Sequence, residues 1–155
     1  MNRKKPVILI ANGVNLDLLG TREPHIYGHE TLKDLEDQIT SESEKICQAL
    51  GLGGCQLEFI QTNHEGQFLD ALKPSYDGII INPGAWTHTS LALGDRLKGL
   101  GRPYVEVHLS RVSSRESFRK ISYISDGALG VISGFGFHSY HSALYVLLKN
   151  LRDSD

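Results

Sequence analysis

The sequence has few cysteines and little net charge. Its two cysteines, Cys47 and Cys55, form no Cys-x-x-Cys pair, so neither a disulfide framework nor a zinc site is predicted. Unpaired thiols are typical of a reducing compartment. The formal net charge is only -2. The chain therefore lacks the basic field that holds phosphate backbones, and we expect no nucleic acid partner.

Long hydrophobic runs are also missing. The first apolar run, 7–11, ends at Asn12 before it reaches the length of a signal-peptide core. No run approaches the roughly 20 apolar residues of a membrane-spanning helix. We expect no membrane association and a cytoplasmic location. The length of 155 residues predicts a single domain over 1–155.

Short apolar runs alternate with segments of helical periodicity. The runs lack the polar alternation of a half-exposed sheet and predict five buried parallel strands, at 7–11, 57–60, 78–81, 104–107 and 130–132. Helices are predicted from a capping box at Thr31 and Asp34 onward, over 65–72, over 90–99, and after Gly136. Regular βα alternation predicts an α/β fold, a flavodoxin-like doubly wound five-stranded parallel sheet flanked by helices.

Polar segments follow three of the predicted strands. They are NGVNLDLLGTREPHIYG at 12–28, NPGAWTHTS at 82–90 and EVHLS at 106–110. The ligand crevice of an open α/β sheet lies beyond the carboxyl ends of its strands. The connection 12–30 also far exceeds the usual roughly 2 to 6 residues. We therefore expect a functional site at this edge of the sheet.

Taken together, these motifs resemble the type II 3-dehydroquinate dehydratases, and the likeness extends over nearly the whole chain. The resemblance implies a hydro-lyase that performs the trans-dehydration of 3-dehydroquinate to 3-dehydroshikimate through an enolate, the third step of the shikimate pathway. Quinate breakdown uses the same step, and the sequence leaves that choice open. The main departures from the family pattern are Val14, where proline is usual, and Gly94, where arginine is common.

The resemblance assigns Tyr27 as the base that removes the proton alpha to the ketone. A free tyrosine has a pKa of about 10, so a cation must stabilise the phenolate. Arg22, on the same loop, is implied for that role, and the loop within 12–30 is expected to close as a lid. Asn15 is expected to hold the water that hydrogen-bonds to the enolate oxygen.

The resemblance assigns His108 as the acid that protonates the departing hydroxide. Glu106 lies two residues earlier on the same predicted strand, so both side chains are expected on one face of the sheet. The carboxylate can then orient the imidazole and favour its protonated form.

Substrate binding is implied for six further positions. The substrate carboxylate is assigned to Asn82 and to the Leu109 and Ser110 segment, and the ring hydroxyls are assigned to His88, Asp95 and Arg119. In this family the residue equivalent to Asp95 comes from an adjoining subunit of a dodecamer built from trimers, which implies a homododecamer. No metal, nucleotide or organic cofactor is implied.

Two other classes of protein compete with this interpretation. A flavodoxin-like phospho-receiver module needs an acidic acceptor near the end of the third strand, where this chain has Asn82. A catalytically inert family member requires the loss of the base, the acid or the arginine, whereas Tyr27, His108 and Arg22 are all present.

Overall fold

The fold is built on one five-stranded, wholly parallel sheet. The computed structural model describes residues 4–21 and 23–154, and the side chains of Ile26 and Tyr27 lie outside that description. The strands are paired in the order β2-β1-β3-β4-β5. Their bounds are β1 Val7–Asn12, β2 Gln56–Gln61, β3 Gly78–Asn82, β4 Tyr104–His108 and β5 Gly130–Ser133. The predicted α/β fold and its five strands are confirmed.

Within residues 4–21 and 23–154 the strands alternate with five α-helices: α1 Pro24–Tyr27, α2 Leu32–Ala49, α3 Glu65–Ala71, α4 Leu91–Leu100 and α5 His138–Ser154. The predicted capping box is present, because Thr31 and Asp34 exchange side-chain and backbone hydrogen bonds at the start of α2. Ser90 caps α4 through the backbone N–H of Leu93, and Gly101 ends it with a φ of 62°, which glycine adopts at little cost.

Two hydrophobic cores lie on opposite faces of the sheet, because successive side chains of a strand point to opposite sides. On one face, Ile8 and Ile10 of β1 pack with Leu35 of α2 and Leu144 of α5. The other face buries its own set of side chains, which includes Leu9 of β1, Phe68 of α3 and Leu93 of α4. This two-sided cover explains why β1 and β3 are apolar up to the asparagine at which each of them ends.

The expectation that all five strands are buried is wrong for β5. Val131 of β5 is 48% exposed, because β5 lies at the edge of the sheet and pairs with β4 alone. Cys55 is only partly buried, whereas Cys47 is buried, and both thiols are free. Among the described residues, no helix is both long and apolar enough to cross a membrane.

Candidate active site

A cleft opens at the carboxyl ends of β1, β3 and β4, where a doubly wound sheet binds its ligands. It brings together seven of the residues predicted from the sequence. These are Asn15, Asn82, His88, His108, Leu109, Ser110 and Arg119. They come from three separate loops, so the fold alone places them within reach of one small molecule.

Two glycines allow the first two of these loops to touch. The backbone N–H of Gly13 donates to the carbonyl of Asn82 over 2.8 Å, and a Cβ on Gly13 would lie 2.4 Å from the carbonyl oxygen of Pro83. Gly84 has a φ of +64°, and its Cβ would lie 2.7 Å from the carbonyl oxygen of Val14. Any larger residue at either position would push the two walls of the cleft apart.

Asn15 is held by a neighbour to which the sequence motifs assign no role. Its backbone has a left-handed φ of 66°, and its N–H donates to Oδ1 of Asn63 over 2.7 Å. Gln61 donates through Nε2 to the same oxygen and to the carbonyl of Gly13. The support that Asn63 gives to the loop becomes visible only in three dimensions.

Glu106 and His108 form the predicted pair. Nε2 of His108 lies 2.7 Å from Oε1 of Glu106, and the two residues are 8% and 1% exposed. The carboxylate does not line the cleft but lies behind the imidazole, where the hydroxyls of Ser122 and Ser125 also donate to it. Burial acts to raise the pKa of Glu106, but hydrogen bonds from His108, Ser125 and Ser122 and the charge of His108 outweigh it and hold that pKa below its ordinary value.

His88 stands beside this pair. Its ring lies nearly parallel to that of His108, at an interplanar angle of 14° and a centroid distance of 6.5 Å. Nδ1 of His88 lies 2.6 Å from the carbonyl oxygen of Ile121. A carbonyl oxygen only accepts, so Nδ1 donates a proton to it, and in the neutral form of the ring Nε2 is then an acceptor. In that form Nε2 can accept a hydrogen bond from a substrate hydroxyl.

The side-chain amide of Asn82 is held by hydrogen bonds, one of them to a buried tyrosine. Its Oδ1 accepts the backbone N–H of Gly84 over 3.2 Å, and its Nδ2 donates to the hydroxyl of Tyr140 over 2.8 Å. Tyr140 in turn donates to Oδ1 of Asn12 over 2.6 Å. The buried amide therefore has one orientation, and Asn82 still lines the cleft.

Arginines supply the positive charge that an anionic substrate requires. Arg119 lines the cleft and donates through Nε to Oε2 of Glu116 over 2.8 Å. Arg115 lines it as well, and no motif in the sequence distinguishes it from an ordinary surface arginine.

One described residue of the predicted set lies away from the cleft. Asp95 does not line the cleft but a separate surface groove, which it shares with Leu91 and Tyr123. Arg22 and the side chain of Tyr27 lie outside the described residues, so their roles stay predictions. Within the described part of the chain, no cluster of three or more histidine, cysteine or carboxylate side chains is arranged to hold a metal ion.

Comparison with known proteins identifies the relatives of this chain. The sequence model of the family described as Dehydroquinase class II matches residues 6–148. The "3-dehydroquinate dehydratase" of Alkalilimnicola ehrlichii is 47% identical over 153 residues, which covers 96% of each chain. The "Catabolic 3-dehydroquinase 1" of Aspergillus fumigatus is 46% identical over 94% of this chain and 95% of its own length.

A solved structure agrees with the sequence relatives. The crystal structure of the type II dehydroquinase from Propionibacterium acnes superimposes with a TM-score of 0.82 at 35% identity, and the match covers 93% of this chain and 98% of that one.

Proposed function

This chain belongs to the class II dehydroquinase family, and we propose that it dehydrates 3-dehydroquinate to 3-dehydroshikimate in the shikimate pathway. The observation that carries the proposal is the cleft that gathers Asn15, His88 and His108 beside the buried Glu106 carboxylate. Loss of water from a β-hydroxyketone needs a base, an enolate stabiliser and an acid. The cleft supplies groups suited to the second and third roles.

The acid is His108 and the base is Tyr27. Tyr27, as a phenolate stabilised by Arg22, removes the proton alpha to the ketone and leaves an enolate. A water held by Asn15 donates to the enolate oxygen. The enolate then expels the hydroxyl group, which leaves as water after it takes a proton from His108. Glu106 stabilises the imidazolium that supplies this proton. The segment 12–30 acts as the lid that encloses these groups.

The lining of the cleft favours an enolate over an imine. An imine intermediate needs a lysine amine beside the ketone. Among the described residues, the cleft is lined by arginine and histidine side chains and by no lysine.

Substrate recognition follows the charges of the cleft. The carboxylate of 3-dehydroquinate binds Asn82, the backbone at Leu109, and Ser110. Its ring hydroxyls meet His88, whose Nε2 accepts, and Arg119, which donates. Both arginines of the cleft favour an anionic ligand.

We further propose that the active assembly is a homododecamer in which Asp95 completes the site of an adjoining subunit. Asp95 lies away from the cleft of its own chain, in a groove that includes Leu91 and Tyr123. Large apolar side chains of this groove are exposed in a single chain, at 64% for Leu91 and 41% for Tyr123. Exposed apolar surface of this kind is typical of subunit contacts.

Free thiols at Cys47 and Cys55 support a cytoplasmic location.

The test is to mix the purified protein with 3-dehydroquinate and follow the ultraviolet absorbance of the conjugated enone product. We expect steady formation of the enone. We also expect the protein to keep its activity after treatment with sodium borohydride in the presence of substrate, because no imine is available for reduction. Failure to form the enone contradicts the proposed activity. Irreversible loss of activity with borohydride contradicts the enolate route.

A further inference from the structure

One short segment, 121–125, contacts His88 directly and reaches His108 through Glu106. The carbonyl of Ile121 accepts from His88, and the hydroxyls of Ser122 and Ser125 reach Glu106, the partner of His108. The family resemblance assigns no role to these serines.

The hydroxyls of Ser122 and Ser125 both donate to the carboxylate of Glu106 in the described structure. Oγ of Ser122 accepts the backbone N–H groups of Ile124 and Ser125 over 3.2 and 3.1 Å, so its own proton is left for Oε2 of Glu106, 3.1 Å away. Ser125 Oγ lies 2.6 Å from the same oxygen. An ionised carboxylate only accepts, and Glu106 is therefore held by three donors, counting His108.

This arrangement decides which nitrogen of His108 does the chemistry. While Glu106 is ionised it only accepts, so Nε2 of His108 carries the proton that lies between them. The atom left for the substrate is Nδ1, in a ring that lines the cleft. An imidazolium with its Nε2 proton held by Glu106 has only its Nδ1 proton to give.

We propose that Ser122 and Ser125 are positioning residues for the dehydration: through Glu106 they fix the tautomer and orientation of His108, so that Nδ1 delivers the proton to the departing hydroxide. This inference rests on the proposed function. Neither serine touches substrate, and each acts through the carboxylate. The same segment fixes His88 by a main-chain carbonyl, so one element sets the protonation pattern of both rings.

The segment is itself held in place by close backbone contacts. The N–H of Tyr123 donates to the carbonyl of Thr87 over 3.0 Å, next to His88. The hydroxyl of Tyr104 donates to the carbonyl of Ile124. A Cβ on Gly94 would lie 2.5 Å from the carbonyl oxygen of Tyr123. Gly94 thus allows α4 to press directly on the segment, which gives this departure from the family pattern a packing role.

Few titratable groups lie near the Glu106 carboxylate in the described structure. His108 on β4 faces it directly, and His88 stacks on His108. Burial, with the charges of Glu106 and Asp126, raises the pKa of Tyr104 to about 12, so Tyr104 stays neutral at neutral pH. Changes in the acid range after removal of a serine therefore report on the Glu106 and His108 pair.

The test compares Ser122→Ala, Ser125→Ala and the double variant with the wild-type enzyme, by kcat, KM and the pH profile of kcat. We expect each single variant to lose about tenfold in kcat with KM changed by less than about threefold, because a hydrogen bond to a charged group is lost while the cleft surface is kept. Without these donors, Glu106 takes up a proton at higher pH. The acid limb of the profile therefore moves to higher pH.

Two further variants separate positioning from packing. Ser125→Thr keeps the hydroxyl and is expected to restore most of kcat and the wild-type acid limb. Ser43→Ala removes a buried serine hydroxyl of α2 that donates to the carbonyl of Thr40 and does not line the cleft, and is expected to leave kcat and its pH profile unchanged. If the double variant does not fold, the single variants make the same comparison.

The tautomer is measured directly by the ¹⁵N shifts of the histidine rings. In the wild-type protein His108 is expected to show a protonated Nε2, and in the double variant a mixture of tautomers. Wild-type kcat, acid limb and ¹⁵N pattern in the double variant would overturn the inference. A third outcome contradicts the proposed function alone. In it the Nε2 proton is present in the wild-type protein and lost in the double variant, but the wild-type protein does not turn over 3-dehydroquinate.

Discussion

Asn12 and Tyr140, which are 128 positions apart in the sequence, meet in the core through a hydrogen bond of 2.6 Å from the tyrosine hydroxyl to Oδ1 of the asparagine. Tyr140 is fully buried on α5, and it also accepts from Nδ2 of Asn82. The bond joins the last helix to the ends of β1 and β3, where the cleft begins. Burial raises the pKa of Tyr140, so its hydroxyl keeps the proton that it donates.

Replacement of Tyr140 by phenylalanine tests this connection. Tyr140→Phe leaves Oδ1 of Asn12 and Nδ2 of Asn82 buried without the hydroxyl, and we expect a loss of about 1 to 3 kcal/mol in the free energy of unfolding. We also expect a higher KM, because Asn82 is no longer held in one orientation. Urea unfolding and steady-state kinetics measure both effects. Tyr145→Phe, at an exposed position of the same helix, is the matched control, and equal effects of the two changes would contradict this role.

Removal of the Tyr27 hydroxyl tests the base. Tyr27→Phe keeps the volume of the side chain but not its ionisable oxygen. We expect turnover to disappear while 3-dehydroquinate still binds, as measured by calorimetry. Turnover at the wild-type rate would refute the assignment of Tyr27, whereas loss of binding would point to a structural role.

Removal of the imidazole of His108 tests the division of labour between base and acid. His108→Ala is expected to lower kcat by about 10² to 10⁴ and yet to permit exchange of the substrate's alpha proton with deuterated water, because Tyr27 is intact. The measurement is proton NMR of 3-dehydroquinate in D₂O. His138→Ala, which changes a histidine outside the cleft, is the control. Binding without any exchange in His108→Ala would argue against two separate groups.

Mixed assemblies test whether Asp95 acts across a subunit boundary. Asp95→Asn and His108→Ala are each expected to be impaired alone. In a co-assembled mixture, an intact His108 of one chain can meet an intact Asp95 of another, so part of the activity should return. Activity that stays at the level of the separate variants, in mixtures shown to be co-assembled, would place Asp95 outside the site. Light scattering of the wild-type protein tests the dodecamer independently.

Acid stability tests the electrostatics of Glu106. The pKa of this carboxyl is lowered in the folded protein, so the unfolded chain binds its proton first as the pH falls. The stabilisation is therefore complete above the unfolded pKa of about 4.3 and is lost as the pH falls through the lower folded pKa. Glu106→Gln should flatten this part of the curve of unfolding free energy between pH 7 and pH 3. Glu44→Gln, at an exposed position of α2, should leave it in place.

The order of elements and part of the site could be predicted from the sequence, because local patterns carry that information. Apolar runs such as 78–81 and the Thr31 and Asp34 capping box depend on neighbours a few residues away, and the structure confirms both. The pairing of Glu106 with His108 was also predictable, since residues two apart on a strand share a face. The motifs, through the family resemblance, identified seven residues that line the cleft.

Contacts between distant segments were decided only by the tertiary structure. Nothing near Asn63 in the sequence shows that its side-chain oxygen Oδ1 accepts from Asn15, and nothing near Ser122 or Ser125 shows that they donate to Glu106. The reason is physical: side-chain hydrogen bonds of this kind depend on which loops the sheet order brings together, whereas helices and strands depend on periodicity along the chain. The apolar pattern of the sequence determines the fold, and the fold determines which polar groups become hydrogen-bond partners.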